Sequence, residues 1–184
     1  MSDKKISTTN IFAKECIVSA LLQLTDIKPL SSVTISELCK KAGVSRMTFY
    51  RNYASVEDIF IRRLTEIFGQ YKEESSSAKN GGIFYDKAHM IHYFGYLSQY
   101  RDFLKGLIHC GFGAHFLQML TSYILEEWQP YADELTLTAF SGSLYNLFRL
   151  WASRDYQIPV ETLAQKLEVL YRGCERDPVH SDFT

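Results

Sequence analysis

Apolar residues recur every three or four positions along most of the chain, and no segment alternates apolar and polar residues over a sustained length. The first such stripe lies in residues 9–25, where Ala13, Ile17, Leu21 and Leu24 fall on one side of a helix. This spacing indicates amphipathic helices, because a strand with one buried face would show a period of two. We therefore predict an all-α protein.

Helix boundaries follow from the apolar stripes together with residues that start or stop helices. The predicted helices span residues 9–25, 34–43, 45–52, 55–71, 84–100, 102–110, 114–128, 131–153 and 159–173. The one shift in composition lies at residues 73–82, where Ser, Gly and charged residues accumulate, and it predicts a loop.

Two short helices joined by a glycine turn form a helix-turn-helix pattern. Thr34 and Glu37 form a capping box at the start of the first helix, and Leu38 and Cys39 are predicted to face inward. Gly43 suits the left-handed conformation in which many helices end, because it has no Cβ to clash. The chain is therefore expected to reverse direction at this glycine.

The second helix of the pattern begins after Ser45, a favourable N-cap residue. Phe49 is predicted to point into the core. The opposite face would then expose Arg46, Met47, Tyr50 and Arg51. Arginine can bind guanine edges, methionine can contact a thymine methyl, and hydroxyls can bind phosphates, so this face is a candidate DNA-reading surface.

Residues 34–60 read TISELCKKAGVSRMTFYRNYASVEDIF. This stretch resembles the N-terminal signature of the TetR family of transcriptional repressors, with its capped helix, its A-G-V-S turn, its T-[aliphatic or Phe]-Y sequence and its fourth helix. The resemblance implies a helix-turn-helix DNA-binding domain over residues 1–54. A helical regulatory and dimerisation domain would occupy residues 55–184.

The resemblance also implies a function, that of a DNA-binding transcriptional regulator. Two recognition helices of a homodimer would lie about one DNA turn apart and read a palindromic, double-stranded operator. A small-molecule effector bound among the middle helices would shift the fourth helix and release the operator. Repression is the commoner outcome in the family, although activators also occur.

DNA contacts are implied residue by residue. Contacts to the DNA backbone are implied for Thr34, Ser36, Thr48, Tyr50 and Asn52, with Lys40 and Lys41 as further cations beside the phosphates. The residues nearest the bases would be Ser45, Arg46, Met47 and Arg51. The chain departs from the family at two positions, since a small residue is usual where Met47 stands and a lysine is usual where Val56 stands.

Two further sets of residues are expected in the regulatory domain. The effector pocket would be lined by aromatic and apolar residues, namely His89, Tyr93, Tyr96, Leu97, Phe103, Leu107, Phe116, Leu120 and Tyr145. The dimer interface would lie on the last two long helices and use Leu144, Leu147, Phe148, Trp151, Leu163, Leu167, Leu170 and Tyr171. The alternative for every one of these side chains is a place in the core of the protomer itself.

Charge is divided unevenly along the chain. The 20 basic and 21 acidic residues give a formal net charge of −1, which excludes a uniformly basic nucleic-acid binder. Residues 1–63 nevertheless hold ten Lys and Arg against six Asp and Glu, whereas residues 64–184 hold ten against fifteen. The basic N-terminal part would face DNA.

Several other classes of protein are disfavoured. The four cysteines are widely spaced without a C-x-x-C pair, so neither a zinc finger nor a disulfide scaffold is predicted, and free thiols suit the cytoplasm. Residues 1–10 lack the apolar core of a signal peptide, and the uncharged stretch 106–125 is too polar to cross a bilayer. We predict a cytoplasmic, non-enzymatic protein without a membrane segment, cofactor or catalytic residue.

Two alternatives stay open. A TetR-like fold that acts through a protein partner, with weak or no DNA and ligand binding, would account for the departures at Met47 and Val56. A helical metal-binding protein or enzyme is suggested by Asp86, His89 and His92, which lie at positions i, i+3 and i+6 of one predicted helix. The chain lacks the paired E-x-x-H motifs of helical di-metal proteins, which disfavours this second alternative.

Overall fold

The computed structural model of the protein describes residues 8–78 and 83–174. Within these ranges the chain forms helices, turns and bends but no strand, which confirms the all-α prediction. The α-helices are α1 (Thr8–Thr25), α2 (Ile35–Ala42), α3 (Arg46–Asn52), α4 (Val56–Ala78), α5 (Lys87–Ser98), α6 (Arg101–His109), α7 (Gly113–Trp128), α8 (Glu134–Ser153) and α9 (Val160–Tyr171). A short 3-10 helix, Leu30–Ser32, lies between α1 and α2.

The chain divides by packing into two compact units. Among the described residues, the first consists of residues 8–66 with 102–112, and the second of residues 67–78, 83–101 and 113–174. By this criterion the first unit includes the start of α4 and most of α6, in addition to the helix-turn-helix. The functional boundary between residues 54 and 55 stays a prediction.

The first unit encloses its own apolar core. Ile17, Leu21, Leu38, Phe49 and Phe60 lie in it with almost no exposed surface. Ile17 and Leu21 come from the predicted stripe of the first helix, and Leu38 and Phe49 are predicted to face inward, so the sequence pattern identifies these buried faces correctly.

Glycine allows α6 to pack closely on α1 within the first unit. A Cβ atom at Gly106 would lie 2.5 Å from the Cδ2 atom of Leu22, well inside van der Waals contact. The absence of a side chain at Gly106 therefore leaves room for the Leu22 side chain of α1 against α6.

The predicted caps of the helix-turn-helix are present. The Glu37 N–H donates to the Thr34 hydroxyl over 3.2 Å, and the Thr48 N–H donates to the Ser45 hydroxyl over 3.0 Å. Gly43 has φ 66°, in the left-handed region that favours glycine. The Glu37 carboxylate contacts the Lys28 ammonium, and this bond lowers the pKa of the carboxyl below its ordinary value.

The second unit is built from α5, α7, α8, α9 and the end of α4. Within it α7 packs on α8 and α5 packs on α9. Its core is strongly aromatic, with fully buried Phe84, Phe94, Phe116, Phe140 and Phe148. The indole N–H of Trp151 donates to the Ile158 carbonyl over 2.8 Å and so fixes the turn between α8 and α9.

Three boundaries differ from the sequence predictions by three residues or more. The loop predicted at residues 73–82 is wrong for residues 73–78, which continue α4, while residues 79–82 lie outside the described residues. Buried Ser75 bonds to the Tyr123 hydroxyl over 3.1 Å, and this tertiary contact supports the helix through its polar sequence. Helices α5 and α8 begin three residues later than predicted, because Asp86 and Asp133 cap them.

Replacing Gly43 with alanine should destabilise the protein, because a Cβ is strained at positive φ. We expect the free energy of unfolding to fall by about 1 kcal/mol in urea titrations followed by circular dichroism. Gly69→Ala is the matched control, since this helical glycine has open space around its Cβ position. The control should raise stability by about 0.5 kcal/mol, and equal stability of the two variants would contradict the role assigned to the turn.

Candidate nucleic-acid interface and regulatory core

Helix α3 has one buried and one exposed face, as predicted. Phe49 is fully buried, whereas Met47 and Tyr50 are 74% and 54% exposed. Arg46 and Arg51 are also exposed, and neither makes an ion pair with a described residue. The exposed face thus offers two guanidinium groups, a thioether and a phenol to a partner.

The hydroxyls of Ser45 and Thr48 form a pair at the start of α3. Their oxygens lie 2.9 Å apart, and the Ser45 oxygen also accepts the Thr48 N–H. One hydroxyl proton is used in the bond between them, so the other remains available as a donor. The pair can therefore donate one hydrogen bond to an anionic group.

Helix α2 presents a second polar surface. Thr34, Ser36, Lys40 and Lys41 are all exposed. Thr34 uses its oxygen to accept from Glu37, which leaves its hydroxyl proton as a donor. Neither lysine makes an ion pair with a described residue, so two ammonium groups without a bonded counterion lie in the last turn of the helix, with the Glu37 carboxylate near Lys41.

Asn52 does not lie where a DNA contact requires it. Its side chain is buried, and its amide nitrogen donates to the Asn10 side-chain oxygen and to the Thr48 carbonyl, both over 2.9 Å. The expectation that Asn52 contacts the DNA backbone is therefore corrected, since its amide protons are used inside the protein. The position of Val56, where the family has a lysine, is also buried.

A groove of about 570 Å³ lies between the start of α1 and the turn that leads into α3. Its walls are Thr9, Asn10, Phe12, Ala13, Cys16, Ala42, Gly43, Val44, Ser45, Thr48 and Arg51. The sequence does not predict that α1 forms a wall of this groove, because its apolar pattern indicates only an amphipathic helix. Phe12 is 71% exposed and Ile11 is 50% exposed, so this end of α1 presents apolar side chains outward.

Most other cations of the first unit are already neutralised. Lys14 pairs with Glu66 over 2.5 Å, and Arg63 pairs with Glu15 over 2.7 Å. Arg62 pairs with Asp58 over 2.7 Å in the same helix. The uncompensated positive charge among the described residues of the helix-turn-helix is thus concentrated on α2 and α3.

The second unit contains a cluster of tyrosines around Tyr71. The His92 ring stacks on the Tyr71 ring at 5.5 Å between centroids, and the rings of Tyr93, Tyr96 and Tyr123 lie within 5.1–6.0 Å of it. Burial raises the pKa of Tyr71 and of Tyr93 well above the ordinary value. These phenols therefore stay neutral and can act as hydrogen-bond donors.

The hydroxyls of this cluster differ in their partners. Tyr96 donates to the Ile67 carbonyl over 2.9 Å, and Tyr123 bonds to Ser75. The Tyr93 hydroxyl is buried and has no hydrogen-bond partner among the described residues. The same is true of the Nε2 atom of His115. A buried polar atom without a partner is rare and marks a place where a bound molecule or water would be stabilised.

The residues predicted for the effector pocket lie in both units. Phe103 and Leu107 belong to the first unit, and His89, Tyr93, Tyr96, Leu97, Phe116, Leu120 and Tyr145 belong to the second. All are buried except His89, which is half-buried. None of them lines the groove beside α1, and none lines a second groove that lies beside α9, so the effector pocket stays a prediction.

The residues predicted for the dimer interface are mostly core residues. Leu144, Phe148, Trp151, Leu163 and Leu167 are buried within the protomer, because the apolar stripes of α8 and α9 pack on their own unit. Leu170 is 59% exposed, and Leu147 and Tyr171 are half-buried. Exposed apolar residues that the sequence did not single out are Leu135, Leu150 and Val169.

The three residues of the metal hypothesis have separate partners. Asp86 caps α5 by accepting from the Ala88 N–H, His89 packs against Trp128, and His92 stacks on Tyr71. In the part of the chain that the structure describes, no group of three His, Cys, Asp or Glu side chains is arranged to hold a metal ion. Among the same residues, no helix combines the length and apolar character needed to cross a membrane.

Known structures share this fold. No protein-family model matches the chain, and none of the curated proteins matches its sequence. A crystal structure of Lin0861 from Listeria innocua is similar at a TM-score of 0.73 and 12% identity, over 93% of this chain and 95% of that one. The fatty acid degradation regulator FadR from Bacillus halodurans is similar at 0.60 and 17%, over 88% and 95%.

The transcriptional regulator FadR from Bacillus subtilis, solved in complex with stearoyl-CoA, is similar at a TM-score of 0.58 and 20% identity. The alignment covers 86% of this chain and 98% of that one. Likeness at such low identity establishes architecture. The described chain shares its all-α fold with these structures of transcriptional regulators.

Proposed function

We propose that the protein is a DNA-binding transcriptional regulator whose α3 reads the major groove of an operator. The observation that carries the proposal is the exposed face of α3, with Arg46, Met47, Tyr50 and Arg51 opposite the buried Phe49. Arg46 and Arg51 can bind base edges or phosphates, and the Ser45–Thr48 pair can donate to a phosphate. Lys40 and Lys41 supply further positive charge from α2.

The operator would be palindromic and bound by a homodimer formed through α8 and α9. The exposed apolar side chains of these helices, Leu135, Leu150, Val169 and Leu170, support this assignment. A groove of about 690 Å³ beside α9, lined partly by Leu147, Ile158 and Val169, extends the apolar surface. Two-fold symmetry would then place two copies of α3 on successive turns of one DNA face.

A small molecule bound in the second unit would regulate DNA binding. Its binding would release the operator and so relieve repression. The unpartnered Tyr93 hydroxyl supports this part of the proposal, because it is a donor kept in an aromatic core without an acceptor. An effector with a hydrogen-bond acceptor would satisfy it. FadR of Bacillus subtilis, which was solved with stearoyl-CoA, is a protein of the same fold that carries a bound small molecule.

A second candidate function is a regulator that acts through a protein partner. Two exposed apolar side chains favour this second function, Met47 on α3 and Phe12 on α1. Exposed apolar surface is typical of sites that bind other proteins. Either function places the protein in the cytoplasm and requires no catalysis. A gel shift at low salt with DNA from upstream of the gene separates them, since only the DNA-binding regulator retards the duplex.

Arg46→Ala should weaken operator binding and relax sequence preference, because Arg46 would contact bases. Lys40→Ala should weaken binding to all duplexes alike and reduce the slope of log affinity against log salt by about 1, as loss of one phosphate contact does. Fluorescence anisotropy with operator and unrelated DNA measures both effects. Wild-type operator affinity in both variants would contradict the assignment of this surface.

Leu170→Glu should weaken the homodimer at least about tenfold, because the carboxylate would be buried at an apolar interface. Analytical ultracentrifugation over a concentration series measures the dissociation constant. The matched control is Ile27→Glu, which places the same charge at a 77% exposed apolar residue of the first unit. A monomeric unmodified protein, or equal dissociation constants for the two variants, would count against the proposed interface.

Tyr93→Phe should leave the free energy of unfolding unchanged or raise it by up to about 1 kcal/mol, because it removes a buried hydroxyl without a partner. Tyr96→Phe, on the same helix and equally buried, loses the bond to the Ile67 carbonyl and should lower stability by about 1 kcal/mol. Urea unfolding of the ligand-free protein gives the comparison. Equal destabilisation would mean that the Tyr93 hydroxyl already has a partner.

A further inference from the structure

Asn52 joins two helices of the first unit that are far apart in sequence. It is the last residue of α3, and its side-chain nitrogen donates to the oxygen of Asn10, 42 positions earlier, in the first turns of α1. The same nitrogen donates to the carbonyl of Thr48, one turn back in α3. Both protons of the amide are thus used, one in each helix.

The hydrogen bond between the side chains of Asn52 and Asn10 lies beside the groove that α1 forms with the turn leading into α3. Asn10 and Thr48 both line the groove beside α1, and Asn52 is buried with 7% of its surface exposed. The bond to Asn10 ties the C-terminal end of α3 to the start of α1. It restrains rotation of α3 about its own axis, because the bond to Thr48 holds the same side chain against α3.

The rotation of α3 decides which side chains can reach base edges. One residue of helix rotates the exposed face by about 100°, so even a small fraction of that turn displaces the end of a long arginine side chain. Phe49 anchors the buried side, and the bond between Asn52 and Asn10 restrains the helix at its C-terminal end. Arg51 lies next to Asn52 and is the side chain most directly affected.

We infer that Asn52 is a positioning residue for DNA reading, which acts through Asn10 and sets the orientation of α3, and that it does not itself contact DNA. The inference rests on the proposed DNA-binding function. A residue in this role contributes to discrimination between sequences, whereas a phosphate contact contributes to affinity for any DNA.

A double-mutant cycle tests this role. The variants are Asn52→Ala, Asn10→Ala and the double substitution, and the DNA probes are a duplex selected from a random pool by the unmodified protein and an unrelated duplex of the same length. Each single variant should lower the ratio of selected to unrelated affinity about tenfold, and the double variant should lower it no further. Gln23→Ala is the control, because this α1 amide bonds only to Ser19 of its own helix in the described contacts.

Three results would overturn the inference. In the first, Asn52→Ala loses the same affinity for both duplexes, its log affinity depends less steeply on log salt, and the effect of Asn10→Ala adds to it. Asn52 would then be a phosphate contact. Lower thermal stability with unchanged affinities well below the unfolding temperature would make the bond purely structural. If the unmodified protein selects no duplex, the proposed DNA-binding function fails as well. This failure can be told from failure of the inference on Asn52 alone, because it is seen before any variant is compared.

Discussion

The burial of Phe49 is the contact on which the exposed face of α3 depends. Helix α3 has seven residues, which is too short for a helix to be stable in water without support from tertiary packing. Phe49 supplies that support, since it is fully buried in the first unit and its ring packs against Tyr53 with centroids 5.8 Å apart. Because Phe49 points inward, Met47 and Tyr50 lie on the exposed face of α3.

Local sequence signals are sufficient for the helix-turn-helix because its geometry is set by neighbouring residues. Thr34 and Ser45 each accept a hydrogen bond from the backbone N–H three residues later. Gly43 adopts the left-handed conformation of the turn because it has no side chain. Such interactions can be read from a short stretch of sequence. The helical periodicity likewise identifies which faces are apolar, and the buried residues of both units confirm it.

Interactions between distant residues are the part that sequence reasoning could not supply. The partner of Asn52 lies 42 residues away, so its side chain was assigned to DNA when it is bonded inside the protein. Residues 73–78 have a loop-like composition, yet the contact of Ser75 with Tyr123 belongs to a helix. An apolar stripe also does not state which surface covers it, and for Leu144, Phe148 and Leu167 that surface is the protomer's own core.

The internal ion pairs of the first unit limit how many of its cations can exchange partners with a polyanion. Lys14, Lys28, Arg62 and Arg63 already have carboxylate counterions within the protein. When a duplex binds, small ions are displaced from DNA only by protein charges that come to its phosphates. Among the described residues of the first unit, the cations that could displace such ions without first breaking an ion pair are therefore those of α2 and α3, and they are fewer than its described basic residues.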